Sequence, residues 1–158
     1  MTDVQIHSTR LDPRANEPLM AIANAGAAAF GYTAELTLDG QLAQLLRLRV
    51  AQINNCTYCL TVHHRAARDV GVPQVKIDLL TAWWETRLFS DAERAALEYA
   101  EALTRASDTT VTQAFQQYHD RLTAHFDEAA MVEIVAVVIN MNIWTRLKLA
   151  EGAMPSLG

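Results

Sequence analysis

The chain has 158 residues, of which 51% are hydrophobic and 20% charged, and it carries a formal net charge of −5. That length suits one domain able to bury a core without staples, and the composition is that of an ordinary globular protein rather than a disordered one. The acidic balance offers no basic footprint, so nucleic acid and anionic membrane are poor candidates as partners.

Met1 to Asn16 reads as an extended, loosely ordered lead-in to a single domain spanning residues 1–158, broken by Asp12-Pro13. It has acidic and polar residues where a signal peptide needs a charged start followed by an apolar run. The most apolar window, Ile134 to Ile143, is short for a bilayer and interrupted by Asn140 and Asn142, so no membrane span and a cytoplasmic location are expected.

A first helix is predicted to begin near Glu17-Pro18, since proline is tolerated in a first turn, and to run through MAIANAGAAAF to Gly31. Asp39 is placed to cap a second helix, on which Leu42, Leu45, Leu46, Val50 and Ile53 recur at helical spacing. Arg49 interrupts that stripe and must pair with an acid or reach the rim.

The next stretch, QINNCTYCLTVHH from Gln52 to His64, holds both cysteines of the protein. A helix is predicted to open near Asn55, as its N-cap, and to stop at Gly71, with Cys56 at the first helical position and Cys59 at the end of the first turn. At about 100° per residue, Cys56, Cys59 and His63 fall within an arc of roughly 60°. A thiolate is favoured at a helix N-terminus, beside a histidine and within a Cys-x-x-Cys pair. Positions i and i+3 also meet the spacing of about 4.4 to 6.8 Å that a disulfide needs between Cα atoms.

Four uses of these residues stay open at this point. Redox or nucleophilic chemistry is the foremost. A structural disulfide would close a tiny loop and constrain little of the unfolded chain. A metal site could draw on Cys56, Cys59 and His63, but the usual fourth ligand has no recognisable spacing. Two buried core cysteines are the plainest alternative. In a reducing compartment a lone Cys-x-x-Cys points to catalysis or metal binding before structure.

Beyond Gly71, Val72-Pro73 should start a short helix through KIDLLTAWW, where the adjacent Trp83 and Trp84 point in different directions, one to the core and the other to a pocket or subunit contact. Ser90 and Glu93 form a capping box, and Thr110 with Gln113 repeats the signature. His119 and His125 read as solvated. Asp127 should cap a last helix, with Phe126 and Met131 as its hydrophobic staple. From Ile134 to Ile139 that helix is apolar on most sides, which suits a core or an interface. Because this surface and both tryptophans cannot all enter one core, a homo-oligomer is expected. No strand alternation and no repeat is seen, so the fold is expected to be all-α, with six to seven helices and no sheet; a thioredoxin context, which needs βαβ, is excluded.

The run RLRVAQINNCTYCLTVHHRAARDVG resembles the core motif of AhpD-like alkylhydroperoxidases, within the carboxymuconolactone decarboxylase superfamily, and WWETRLFSDAERAALEYAEALT and NIWTRL resemble its later segments. The resemblance spans roughly Leu38 to Leu149. It implies an all-helical, oligomeric protein that reduces small organic hydroperoxides through its cysteine pair. No bound cofactor is required, and electrons come from an external dithiol such as that of a lipoyl-bearing protein.

By position, the resemblance makes Cys59 the peroxidatic thiolate, Cys56 the resolving thiol and His63 the histidine that assists proton transfer. A glutamate twelve residues before the first cysteine completes the relay in the best-studied kind of member. Here Gln44 stands there, and an amide can orient a water but cannot take a proton at neutral pH. Tyr58 occupies the place of another histidine. Asn142, Trp144 and Arg146 match a pattern on the last helix, read first as structural and second as a wall of the site. Two other functions remain open: a redox sensor without turnover, and a decarboxylase-like member, whose branch has no need of the cysteine pair.

Overall fold

The core is built on one helix, α2 (Gly40–Ile53), whose residues Leu42 to Ala51 are all buried. Asp39 caps it, accepting the Leu42 N–H at 2.9 Å, and Leu45, Leu46 and Leu48 are fully enclosed. Each such leucine contributes about 1.5 to 3 kcal/mol of burial. The computed structural model describes residues 9–155.

Around α2 the described residues form α1 (Glu17–Phe30), α3 (Thr57–Asp69), α4 (Gln74–Leu79), α5 (Asp91–Thr104), α6 (Thr109–Gln113), α7 (Phe115–Thr123) and α8 (Glu128–Glu151). A 3₁₀ turn over Leu80–Glu85 continues α4. Helices α3, α5 and α8 pack on α2, and α1 lies on α8. A Cβ at Gly26 of α1 would stand 3.0 Å from the Asn140 side-chain oxygen, so a hydrogen there lets α1 and α8 approach closely.

The all-α class holds, but with eight α-helices among the described residues rather than six to seven. The extra break comes at Ala114, which separates α6 from α7. The expected cap at Thr110 is also corrected. Asp108 is the cap, accepting both the Thr110 N–H at 2.9 Å and its hydroxyl at 2.6 Å, which occupies the hydroxyl that would have capped a later start.

Local signals elsewhere operate as their chemistry dictates. Asn16 and Asp127 cap α1 and α8, and Ser90 with Glu93 makes the reciprocal capping box of α5. Gly71, at φ 81°, ends α3. Arg49 finds its acid in Glu101 at 2.6 Å, and the same carboxylate accepts the Trp83 indole N–H at 2.7 Å, which buries Trp83 and leaves Trp84 outside. Near the N-terminus, Arg10 donates its backbone N–H to Glu151 and its guanidinium to Leu149, tying this stretch to the end of α8.

At 24 residues α8 is long and apolar enough to cross a membrane by length and composition alone, although only the window from Ile134 to Ile143 stood out in the sequence. Its Ile134, Val137, Val138 and Met141 are buried in the core.

Candidate active site

The cysteine motif starts one residue later than its sequence suggests. Asn55 adopts φ 52°, a left-handed conformation that asparagine tolerates better than most residues. This turns the chain so that Cys56, extended at φ −88°, becomes the N-cap of α3. Its sulfur accepts the Cys59 backbone N–H at 3.3 Å. Cys59 therefore lies in the first turn, and both sulfurs are buried at the end of α3 where unpaired amides gather positive potential.

The two thiols are driven apart in acidity. Hydrogen bonding from Cys59, side chain first and backbone N–H after it, outweighs burial and brings Cys56 down to about 7, with the Lys148 ammonium adding to the shift. Cys59 is pushed far up, by its hydrogen bond to Cys56 and by burial. The hydrogen bond between the two thiols thus favours ionisation at Cys56 over Cys59.

The second cysteine borders open space. Cys59 lines a cavity of about 240 Å³ together with Tyr58, Val62 and His63 of α3. Asn140, Met141, Trp144 and Lys148 of α8 form the opposite wall, and the Gly31-Tyr32 corner after α1 closes it. Asn140, Trp144 and Lys148 are spaced by four, which puts them on one helical face.

His63 packs edge-to-face on the Tyr32 ring, with centroids 5.8 Å apart. Burial, and then the Arg47 charge, push its pKa down to about 3, so the imidazole is neutral. Its Nδ1 is buried without a partner, as are Asn140 Oδ1 and Trp144 Nε1 on the same cavity walls.

Gln44 is not in this cavity. Its amide donates to the Tyr32 carbonyl at 3.0 Å, and it lines a neighbouring space of about 290 Å³, with Tyr32 and Val62 as the partition. Asn142 is likewise a clip and not among the lining residues. It accepts from Asn54 at 3.1 Å and donates to the Thr104 hydroxyl at 3.3 Å, joining the turn before α3 to α5 and α8. Arg146 donates to the Asn142 carbonyl at 3.1 Å. Tyr58 and Trp144 do line the cavity.

Lys148 went unnoticed in the sequence. Its ammonium lies 4.9 Å from the Tyr58 ring centroid and 5.9 Å from that of Trp144, and it pairs with Glu151 at 2.7 Å. The i+4 step from Trp144 was the one available signal, but a lysine near a helix C-terminus is ordinarily read as favouring the helix dipole. Among the described residues, no group of three His, Cys, Asp or Glu side chains is placed to hold a metal ion.

The helical fold agrees with what the chain is similar to. Residues 18–102 match the carboxymuconolactone decarboxylase family, and the chain belongs to that family, in the AhpD-like superfamily that its motif resembles. An uncharacterized protein of Bacillus subtilis, YdfG, is 33% identical over 121 residues, 77% of this chain and 80% of its own length. YnjA of Escherichia coli, also uncharacterized, is 34% identical over 113 residues, 72% of this chain and 60% of its own.

Among solved structures, a protein of unknown function from Agrobacterium tumefaciens, described as a candidate antioxidant defence protein AhpD, superposes with a TM-score of 0.78 at 25% identity over 95% of this chain and 99% of its own. The debrominase Bmp8 shares the fold at a TM-score of 0.69 and 17% identity, over 98% of this chain and 95% of its own. The family match ends at residue 102, before α8, so the wall that carries Trp144 and Lys148 lies outside it.

Proposed function

We propose that the chain is a dithiol peroxidase acting on small organic hydroperoxides through Cys59 and Cys56. The observation that carries this is the arrangement at the head of α3: Cys59 lines a cavity beside a buried histidine, while Cys56 caps the helix by accepting the Cys59 backbone N–H. Membership of an enzyme-bearing superfamily and likeness to a candidate AhpD protein support the same reading.

In the cycle, Cys59 passes its proton to Cys56 and donates an electron pair to the terminal peroxide oxygen. The O–O bond breaks and an S–O bond forms, leaving Cys59 as a sulfenic acid. The departing alkoxide takes the proton that Cys56 now holds, with His63 positioned to relay it, and leaves as an alcohol. The Cys56 thiolate then attacks the Cys59 sulfur, forming the disulfide and expelling hydroxide, which solvent protonates to water. An external dithiol, of the lipoyl kind by resemblance, restores both thiols and is itself oxidised to a disulfide.

A homo-oligomer is part of the proposal. Ile22 on α1 and Val132 and Ile139 on α8 are 64%, 61% and 52% exposed, an apolar surface that a second copy would cover. Steady-state peroxide consumption with a recycling dithiol tests the function. Repeated turnover supports an enzyme; consumption of one equivalent followed by arrest means a sensor.

A further inference from the structure

The wall supplied by α8 has a chemistry that peroxide reduction does not require. Among the described residues, Lys148 is the one cation lining the cavity, and no aspartate or glutamate lines it. Glu151 takes one of the three ammonium N–H groups at 2.7 Å and the rings of Tyr58 and Trp144 flank the rest, so the charge is held in place without being enclosed by acids. The remaining walls are largely aromatic and aliphatic: Tyr32, Tyr58, Val62, Met141 and Trp144.

One wall side chain that is more than nine-tenths buried, His63 at 6% exposure, keeps a ring nitrogen without a protein partner, whereas the Asn140 side-chain oxygen lies against Gly26 of α1. Buried polar atoms are ordinarily satisfied, so this imidazole leaves one hydrogen-bonding position unfilled beside Cys59. The cavity of about 240 Å³ equals the liquid volume of about eight waters at ~30 Å³ each, room for one ring with short substituents.

We infer that this cavity takes small aryl or short-chain ligands bearing a carboxylate, with Lys148 as the carboxylate's partner, so that the preferred substrate is a carboxylate-bearing hydroperoxide. The reacting bond rests on the peroxidase reading given above; the ligand class rests on the cavity. Lys148 is a binding residue here, and Glu151 competes with the ligand for the same ammonium.

The test has two arms. In the first, 3-phenylpropionate and its uncharged analogue 3-phenylpropanamide are compared as protectants of the Cys56 and Cys59 pair against alkylation, followed by mass spectrometry. The acid should protect at a concentration at least tenfold lower than the amide. Lys148→Met should abolish that preference, Lys148→Arg should keep it, and Glu151→Gln should enlarge it, since the competing carboxylate is gone. If Lys148→Met fails to fold, the Arg and Gln variants still decide.

In the second arm, kcat/KM is measured for cumene hydroperoxide and its para-carboxylate, with at least a tenfold advantage expected for the acid. Selective protection with no turnover of either peroxide keeps the ligand class and overturns the peroxidase. Turnover of both at equal kcat/KM, with equal protection by acid and amide, overturns the inference and leaves the peroxidase standing. Loss of the preference in Glu151→Gln also overturns it.

Discussion

The Cys56 sulfur accepts the Cys59 backbone N–H at 3.3 Å, so the first cysteine of the motif is at once the cap of α3 and the thiol that ionises first. Disulfide formation removes the negative charge from that cap. Alkylation of the pair should therefore reach half its maximal rate near pH 7, where Cys56 titrates, rather than near the ordinary thiol value of about 8.5. The sign for stability follows: with a lowered folded pKa, the contribution of the thiolate is full above about pH 8.5 and is lost as pH falls through 7. Reduced wild type should gain melting temperature over Cys56→Ser between pH 7 and 9, and a constant difference across that range would count against the capping thiolate.

Cys59→Ser should abolish peroxide turnover, because among the described residues no other thiol lines the cavity. Cys56→Ser should permit one oxidation and then leave Cys59 stalled or over-oxidised, since the resolving sulfur is missing. Intact-mass measurement after one equivalent of peroxide distinguishes them. Sulfenic acid on Cys56 in the Cys59→Ser protein, with none on Cys59 in the other, reverses the roles.

His63 is buried neutral with its pKa lowered to about 3, while an unfolded histidine titrates near 6.5. The unfolded chain therefore binds a proton that the folded one refuses, and stability is lost as pH falls from about 6.5 towards 3, at up to about 1.4 kcal/mol per pH unit. His63→Gln should flatten that slope in denaturant titrations from pH 7 to 4. An unchanged slope would place the acid sensitivity elsewhere.

Gln44→Glu separates a relay from a packing residue. The amide donates to the Tyr32 carbonyl behind the partition, so a carboxylate there loses that bond and buries a charge. A loss of about 1 to 3 kcal/mol is expected, with the pH–rate profile unmoved. A shifted profile would bring the position back into proton transfer.

Light scattering at micromolar concentration should give a multiple of 17.5 kDa. Ile139→Lys, which puts a charge on the exposed face of α8, should shift the distribution towards monomer. A wild-type monomer at that concentration would remove the oligomer from the proposal.

Much of the fold was legible because its signals are local. The caps at Asp39, Ser90 and Asp127 each close a bond within three residues, and the stop at Gly71 is a backbone property. Arg49 announced its need for an acid because a bare guanidinium cannot stay in a core, although nothing near it in the chain named Glu101. Cys56, Cys59 and His63 could be grouped for the same reason, since one helix carries all three.

What the tertiary structure alone decided is where other helices meet that one. Asn55 is suited both to capping a helix and to a left-handed turn, and in the folded chain it takes the turn at φ 52°, which moves the cap to Cys56. Gln44 and His63 belong to neighbouring helices, yet the Tyr32 and Val62 side chains stand between their cavities. Lys148 lines the same cavity as Cys59 because α8 packs against α3. Hydrogen bonds and dipoles within a turn are set by neighbours in sequence, whereas the field on a buried sulfur depends on whichever charge the packed helices bring within a few ångströms of it.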